Sequence, residues 1–146
     1  MTRALVRIGG AAGAWGDSPM AIGQLLGAEI DYLMMDYLAE VTMSLLARAR
    51  IKDAQAGYPP DFIGYLKPHL QEIKRRGIRV VSNAGGVNPR ACKLALETAG
   101  AALGLDLRVA RSRLPPLAQP CPARIPLRFL SSPAFIFAGF RLLFGR

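Results

Sequence analysis

Ten residues, Val80-Val81-Ser82-Asn83-Ala84-Gly85-Gly86-Val87-Asn88-Pro89, limit what this chain can fold into more than any other stretch. Ile78 to Val81 supply β-branched residues, interrupted only by Arg79, for a buried strand that ends at Ser82. Asn88 is a good helix N-cap, because its side-chain oxygen can accept a backbone N–H. Pro89 suits the first helical position, where an N–H would have no partner anyway. Gly85 and Gly86 allow positive φ and let a ligand approach bare backbone. A strand feeding a helix through glycines points amides and the positive end of a helix dipole at one place, which favours anions or polar oxygens.

The rest of the chain repeats this alternation. Leu5 to Ile8 read as a first strand, followed by a glycine-rich loop from Gly9 to Pro19. Asp17 or Ser18 can cap a helix with Pro19 at its start, carried by Met20 to Leu26 and stopped by Gly27. Tyr32 to Met35 form a second, wholly apolar strand between Asp31 and Asp36. Leu38 to Arg50 then have helical spacing, with Leu38, Val41, Leu45 and Leu46 on one side. Phe62 to Arg76 are a second helical pattern that Pro68 should kink or divide. Ala91 to Leu103 form an amphipathic helix ended by Gly104, and Leu107 to Ala110 a fourth strand. The prediction is an α/β domain over residues 1–110. It has a parallel sheet of about four strands, right-handed crossovers and helices covering both faces. The sheet could stay open or close into a barrel.

Charge narrows the partners. The 146 residues carry a net +9, but the first 106 hold 12 Lys/Arg against all 10 Asp/Glu. Residues 107–146 hold seven Arg and no acid. The basic pI therefore describes a tail, and the predicted domain is nearly neutral, without a nucleic-acid surface. Two cysteines, Cys92 and Cys121, make neither a disulfide framework nor a metal quartet, and Cys92 reads as a small buried hydrophobe. Met1 to Ile8 contain no apolar signal-peptide core, so an intracellular setting is expected.

In either sheet arrangement, the loops after the strands gather on one rim, where α/β proteins hold ligands. The candidate ligand-binding residues on that rim are Gly13, Trp15, Gly16, Asp17, Ser18, Asp36, Ser82, Asn83, Gly85, Gly86 and Asn88. Each also has an ordinary structural job available: Asp17, Ser18 and Asn88 as caps, Asp36 as a strand end. Asp36 and Glu40 are the candidate catalytic carboxylates, able to share a helix face if Asp36 joins the first turn. Gly10, Gly13 and Gly16 do not follow G-x-G-x-x-G, yet Asp36 closes the second strand, so an NAD(P)-binding oxidoreductase-type domain is the alternative. No P-loop exists, zinc has no ligand cluster, and the lone His69 lies away from the rim. The cofactor is left open.

Several longer motifs carry a family resemblance. They are Arg7-Ile8-Gly9-Gly10-Ala11-Ala12-Gly13, Trp15-Gly16-Asp17-Ser18-Pro19, Asp31-Tyr32-Leu33, Asp36-Tyr37-Leu38-Ala39-Glu40-Val41-Thr42-Met43 and Ser82 to Pro89. Ala47-Arg48-Ala49-Arg50, Lys52-Asp53, Gly57-Tyr58 and Asp61-Phe62 add to them. From about Val6 to about Val109 the chain resembles the N-terminal part of the acyclic terpene utilisation (AtuA-like) family. The resemblance implies a role near the breakdown of acyclic terpenoids such as citronellol and geraniol, whose intermediates travel as CoA thioesters. A phosphate-bearing or acyl-CoA-type small molecule is the expected ligand. The resemblance brings no established catalytic residues with it.

The resemblance ends near Val109. Residues 111–146 are rich in Pro and Arg and then apolar, and are expected to lie outside the fold. Phe129 to Phe144, with Pro133 and Arg141 inside, is short for a membrane span, though its aromatics and arginines suit a membrane surface. A changed reading frame or splice pattern near Val109 is the plainer expectation. Such a truncated product would lack activity, or would need a partner or the rest of its domain for stability.

Overall fold

The computed structural model describes residues 5–111 and 142–144. Elements alternate as expected: β1 (Ile8–Ala12), α1 (Ala21–Leu26), β2 (Tyr32–Met35), α2 (Glu40–Lys52), α3 (Pro60–Leu66), α4 (Leu70–Arg76), β3 (Arg79–Ser82), α5 (Pro89–Ala101), β4 (Val109–Arg111) and β5 (Leu142–Phe144). The class is α/β. Pro68 divides its helical pattern, leaving a 3-10 turn at Lys67–His69 between α3 and α4.

β1, β2 and β3 are parallel neighbours in sequence order. The five-stranded order is β1-β2-β3-β5-β4, with β5 antiparallel to both β3 and β4. β4 therefore runs in the same direction as β3, one strand removed. Leu142–Phe144 come from the stretch expected to lie outside the fold, and their backbone completes the sheet. Cys121, the Pro/Arg-rich run and most of the apolar segment lie outside the described residues, as does the membrane-surface reading.

The first strand differs from expectation. It runs from Ile8 through Ala12, so Gly9 and Gly10 belong to the sheet and not to a loop. The reason is proximity to α1: a Cβ at Gly9 would lie 3.1 Å from Leu25 Cδ2, while Ala11 and Ala12 are buried. Only very small residues fit between strand and helix there. β1 accordingly lacks the β-branched signature that marks β3.

Helices gather on one face of the sheet. Gly9, Leu33 and Val80 form one cross-strand row, and Ala12, Met35 and Ser82 another. Leu33, Met35, Val80 and Ala12 share a core with Ile22 of α1, Phe62 and Leu66 of α3, Leu70 and Ile73 of α4, and Cys92 and Leu96 of α5. The alternate rows, Ile8-Tyr32-Arg79 and Gly10-Met34-Val81, point the other way. Among the described residues no member of those rows is buried, and Ile8 is 65% exposed. The expectation of helices on both faces is thus corrected. Strands laid down in consecutive order with crossovers of one hand put every helix on the same side. Among the described residues no helix is long and apolar enough to cross a membrane.

α2 shows a second departure. Thr42 and Leu46 face inward, while Leu38, Val41 and Leu45, read as the apolar side of the helix, are exposed.

Candidate functional site

The pairing of Ala12 with Met35 and of Met35 with Ser82 starts the three loops side by side on one edge. Asp36 N–H donates to the Ala12 carbonyl at 2.8 Å, tying the first two loops together. Asn83 ties the second to the third. Its Nδ2 donates to Asp36 Oδ1, and its Oδ1 accepts from the Tyr37 amide at 2.7 Å. Ser82 Oγ donates to the Met35 carbonyl at 2.7 Å and accepts from the Ala84 amide at 3.0 Å. Asp36, Ser82 and Asn83 are therefore brought together, and their polar atoms cross-link the strand ends.

The third loop arranges its amides differently from expectation. Gly86 N–H donates to Asn83 O, Val87 N–H to Gly57 O, and Asn88 N–H to Gly85 O. Ala84 N–H is taken by Ser82. These four amides meet the protein itself and are not turned toward an anion. Gly86 has a packing reason instead. Gly86 has φ +51°, and a Cβ there would lie 2.6 Å from Gly57 O. Asn88 does cap α5, accepting from Ala91 N–H at 3.3 Å. Its Nδ2 also donates to the Ala54 and Ala56 carbonyls at 2.9 and 2.8 Å. The helix N-terminus is thus sewn to the loop before α3.

The carboxylate pair does not form on one helix face. α2 begins at Glu40 with Ala39 in extended backbone, so Asp36 stands outside the first turn. Asp36 Oδ1 accepts from Leu38 N–H at 2.9 Å as well as from Asn83. Glu40 is solvent-exposed.

In the first loop, Asp17 folds back on its own backbone. Its Oδ2 accepts from Gly13 N–H at 2.9 Å and its Oδ1 from Ser18 N–H at 2.7 Å. Those two bonds hold the carboxyl below its ordinary value. Gly13 N–H is thereby occupied by a carboxylate, where a dinucleotide turn would offer it to a pyrophosphate. Trp15 is half-buried against the core. Gly16 N–H reaches across 45 residues to Asp61 Oδ2 at 2.9 Å, anchoring the loop on the first turn of α3.

Tyr37 and Asp61 are the two rim residues that sequence reasoning missed. Tyr37 is 2% exposed, and its ring meets Phe62 edge-on at 5.9 Å between centroids. Its hydroxyl is sealed from solvent and has no hydrogen-bond partner among the described residues, and the same holds for Asp61 Oδ1. Burial pushes the phenol well above its ordinary value, and the nearby charges of Asp61, Tyr65 and Asp17 push the same way. The hydroxyl therefore stays protonated and is a donor. Buried polar groups in native proteins are nearly always paired, so two orphans beside the first loop call for a partner such as an ordered water or a ligand group. The available signal was Tyr37 and Asp61 standing within the family-like motifs, next to residues already singled out.

A cavity of about 380 Å³ lies at the opposite edge of the sheet, lined by residues such as Asp31, Tyr32, Arg76 and Arg79 that precede or open β2 and β3. It shares nothing with the rim. Among the described residues no group of three or more His, Cys, Asp or Glu is placed to hold a metal.

No curated protein and no solved structure matches the chain. A family model, the acyclic terpene utilisation family protein AtuA, matches residues 6–112. That span takes in β1 through β4 and all three rim loops. The chain belongs to the acyclic terpene utilisation (AtuA) family.

Proposed function

We propose that this protein acts in the intracellular breakdown of acyclic terpenoids, binding the oxygen-bearing end of an acyl-CoA-type ligand at the C-terminal rim of its parallel strands. The observation that carries this reading is a pair of buried atoms without partners among the described residues, Tyr37 Oη and Asp61 Oδ1. A protonated phenol can donate to a thioester or ketone carbonyl, and the carboxylate oxygen can accept from a hydroxyl on the same ligand. Gly13, Trp15, Gly16, Asp17 and Ser18 form one side of this site as the loop pinned to Asp61, and Asp36, Ser82, Asn83, Gly85, Gly86 and Asn88 form its floor. With the amides of Ala84, Gly86, Val87 and Asn88 engaged and Asp17, Asp36 and Asp61 nearby, the phosphates of such a ligand lie away from the crossover.

The test is calorimetric titration of the full chain with hexanoyl-CoA, free CoA and NAD, repeated with Tyr37→Phe. Binding of hexanoyl-CoA that weakens about tenfold in Tyr37→Phe is expected, in line with loss of one buried hydrogen bond. Equal binding of free CoA, or NAD binding lost in Asp36→Ala, would overturn this assignment.

A further inference from the structure

The cavity at the other edge of the sheet combines two kinds of wall. One is cationic. Arg79 Nη1 donates to Tyr32 Oη at 2.6 Å and its guanidinium carbon stands 5.6 Å from the Tyr32 ring centroid. Arg76 uses its terminal nitrogens on the Leu26 and Ala28 carbonyls, at 2.5 and 2.7 Å. Both guanidiniums are half-buried, oriented by these contacts, and keep further N–H donors beyond the bonds just named. The other wall is apolar: Leu5, Val6 and Ile30, with Leu5 and Val6 exposed at 80% and 55%.

The acid present, Asp31, is already committed. Its Oδ2 accepts from the Arg7 amide at 2.8 Å, and Arg7 pairs with Glu29 at 2.8 Å. Neither carboxylate is hydrogen-bonded to Arg76 or Arg79. Two oriented guanidiniums against one acid leave the cavity with an excess of positive charge, and a guanidinium fork matches an oxyanion with two acceptor oxygens. About 380 Å³ falls in the size range of small-ligand sites. The row Ile8-Tyr32-Arg79 continues onto the uncovered sheet face, so Arg79 stands where the cavity meets exposed Ile8.

We propose that this cavity is a second binding site, separate from the rim, for a small organic anion with a short aliphatic body. The oxyanion sits on Arg79 and Arg76, and the aliphatic part lies on Leu5, Val6 and Ile30. This requires nothing of Tyr37 or Asp61, so it stands or falls apart from the rim reading.

Amide chemical shifts of the full chain, followed during titration with hexanoate, hexanol and inorganic phosphate, test it. Hexanoate should produce saturable shifts at Gly77 and Ile30, weakened at least tenfold in Arg79→Met. Val6→Ser, which replaces an exposed side chain and leaves the fold intact, should weaken hexanoate severalfold. Hexanol shifting the same amides as strongly as hexanoate would overturn the anion site. Phosphate binding as tightly as hexanoate would overturn the aliphatic wall, and hexanoate binding unchanged in Arg79→Met or in Val6→Ser would overturn the placement.

Discussion

A Cβ placed on Gly86 would lie 2.6 Å from the carbonyl oxygen of Gly57, the same oxygen that accepts the Val87 amide at 2.9 Å. Two loops 29 residues apart are thus in backbone contact with no room for a side chain between them. Gly86→Ala should cost about 2–4 kcal/mol, combining a left-handed φ with a backbone clash. Gly104 provides the comparison: its φ is +69°, yet among the described residues nothing lies within 4 Å of its Cβ position. Gly104→Ala should cost about 1 kcal/mol, the conformational part alone. Urea denaturation of the two variants separates the terms, and equal losses would remove the contact from the explanation.

Asn88 acts as acceptor toward α5 and as donor toward Ala54 and Ala56. Aspartate is ordinarily as good an N-cap as asparagine. Here it would turn a carboxylate oxygen toward two carbonyls, so Asn88→Asp should destabilise by about 1–3 kcal/mol. A neutral result at pH 7 in chemical denaturation would mean that the loop before α3 does not depend on this side chain.

Tyr37 carries a buried hydroxyl without a partner among the described residues. Tyr37→Phe should therefore leave stability unchanged or raise it by up to about 1 kcal/mol. Tyr37→Ala should cost about 3–5 kcal/mol through the cavity beside Phe62. A loss above about 1.5 kcal/mol in the phenylalanine variant would show that the hydroxyl is bonded after all.

Cys92 is fully buried on α5, and burial pushes its thiol from 9.0 up to about 12. The unfolded chain thus gives up this proton more readily than the folded one. The stabilising contribution is complete below pH 9 and is lost between pH 9 and about 12. Tyr37 is shifted in the same direction above its ordinary 10.0. Urea midpoints should fall from pH 8 to pH 10.5, less steeply in Cys92→Ala. Native-state alkylation at pH 8, read by peptide mass, should leave the Cys92 peptide unmodified until denaturant is added.

On α2, Val41 is 72% exposed and Leu45 48%. The double substitution Val41→Glu and Leu45→Lys should change folding stability by under about 0.5 kcal/mol while raising the concentration at which the protein aggregates, measured by light scattering.

These cases show where the sequence was legible. β3, the Asn88 cap and Pro89 were plain because β-branched residues, a capping side chain and proline act through local backbone physics. β1 was half missed, since its residues are small to admit α1 and not because they favour strands. The apolar side of α2 was misassigned because four residues at helical spacing do not reveal whether a partner surface exists. The rim was found from topology, and Asp36, Ser82 and Asn83 do meet there. Tyr37 and Asp61 went unseen because burial without a partner is a property of tertiary packing alone.

The strand order also sets a timetable for assembly. β1, α1, β2, the helices after it and β3 are neighbours both along the chain and in space, so each unit can close as soon as it leaves the ribosome. β4 has no such liberty. Its partner strand is Leu142–Phe144, two of whose residues, Leu142 and Leu143, also pair with β3. Until they have been synthesised, the β3 edge waits with bare peptide groups, a window in which a chaperone or a stray strand would find its easiest purchase.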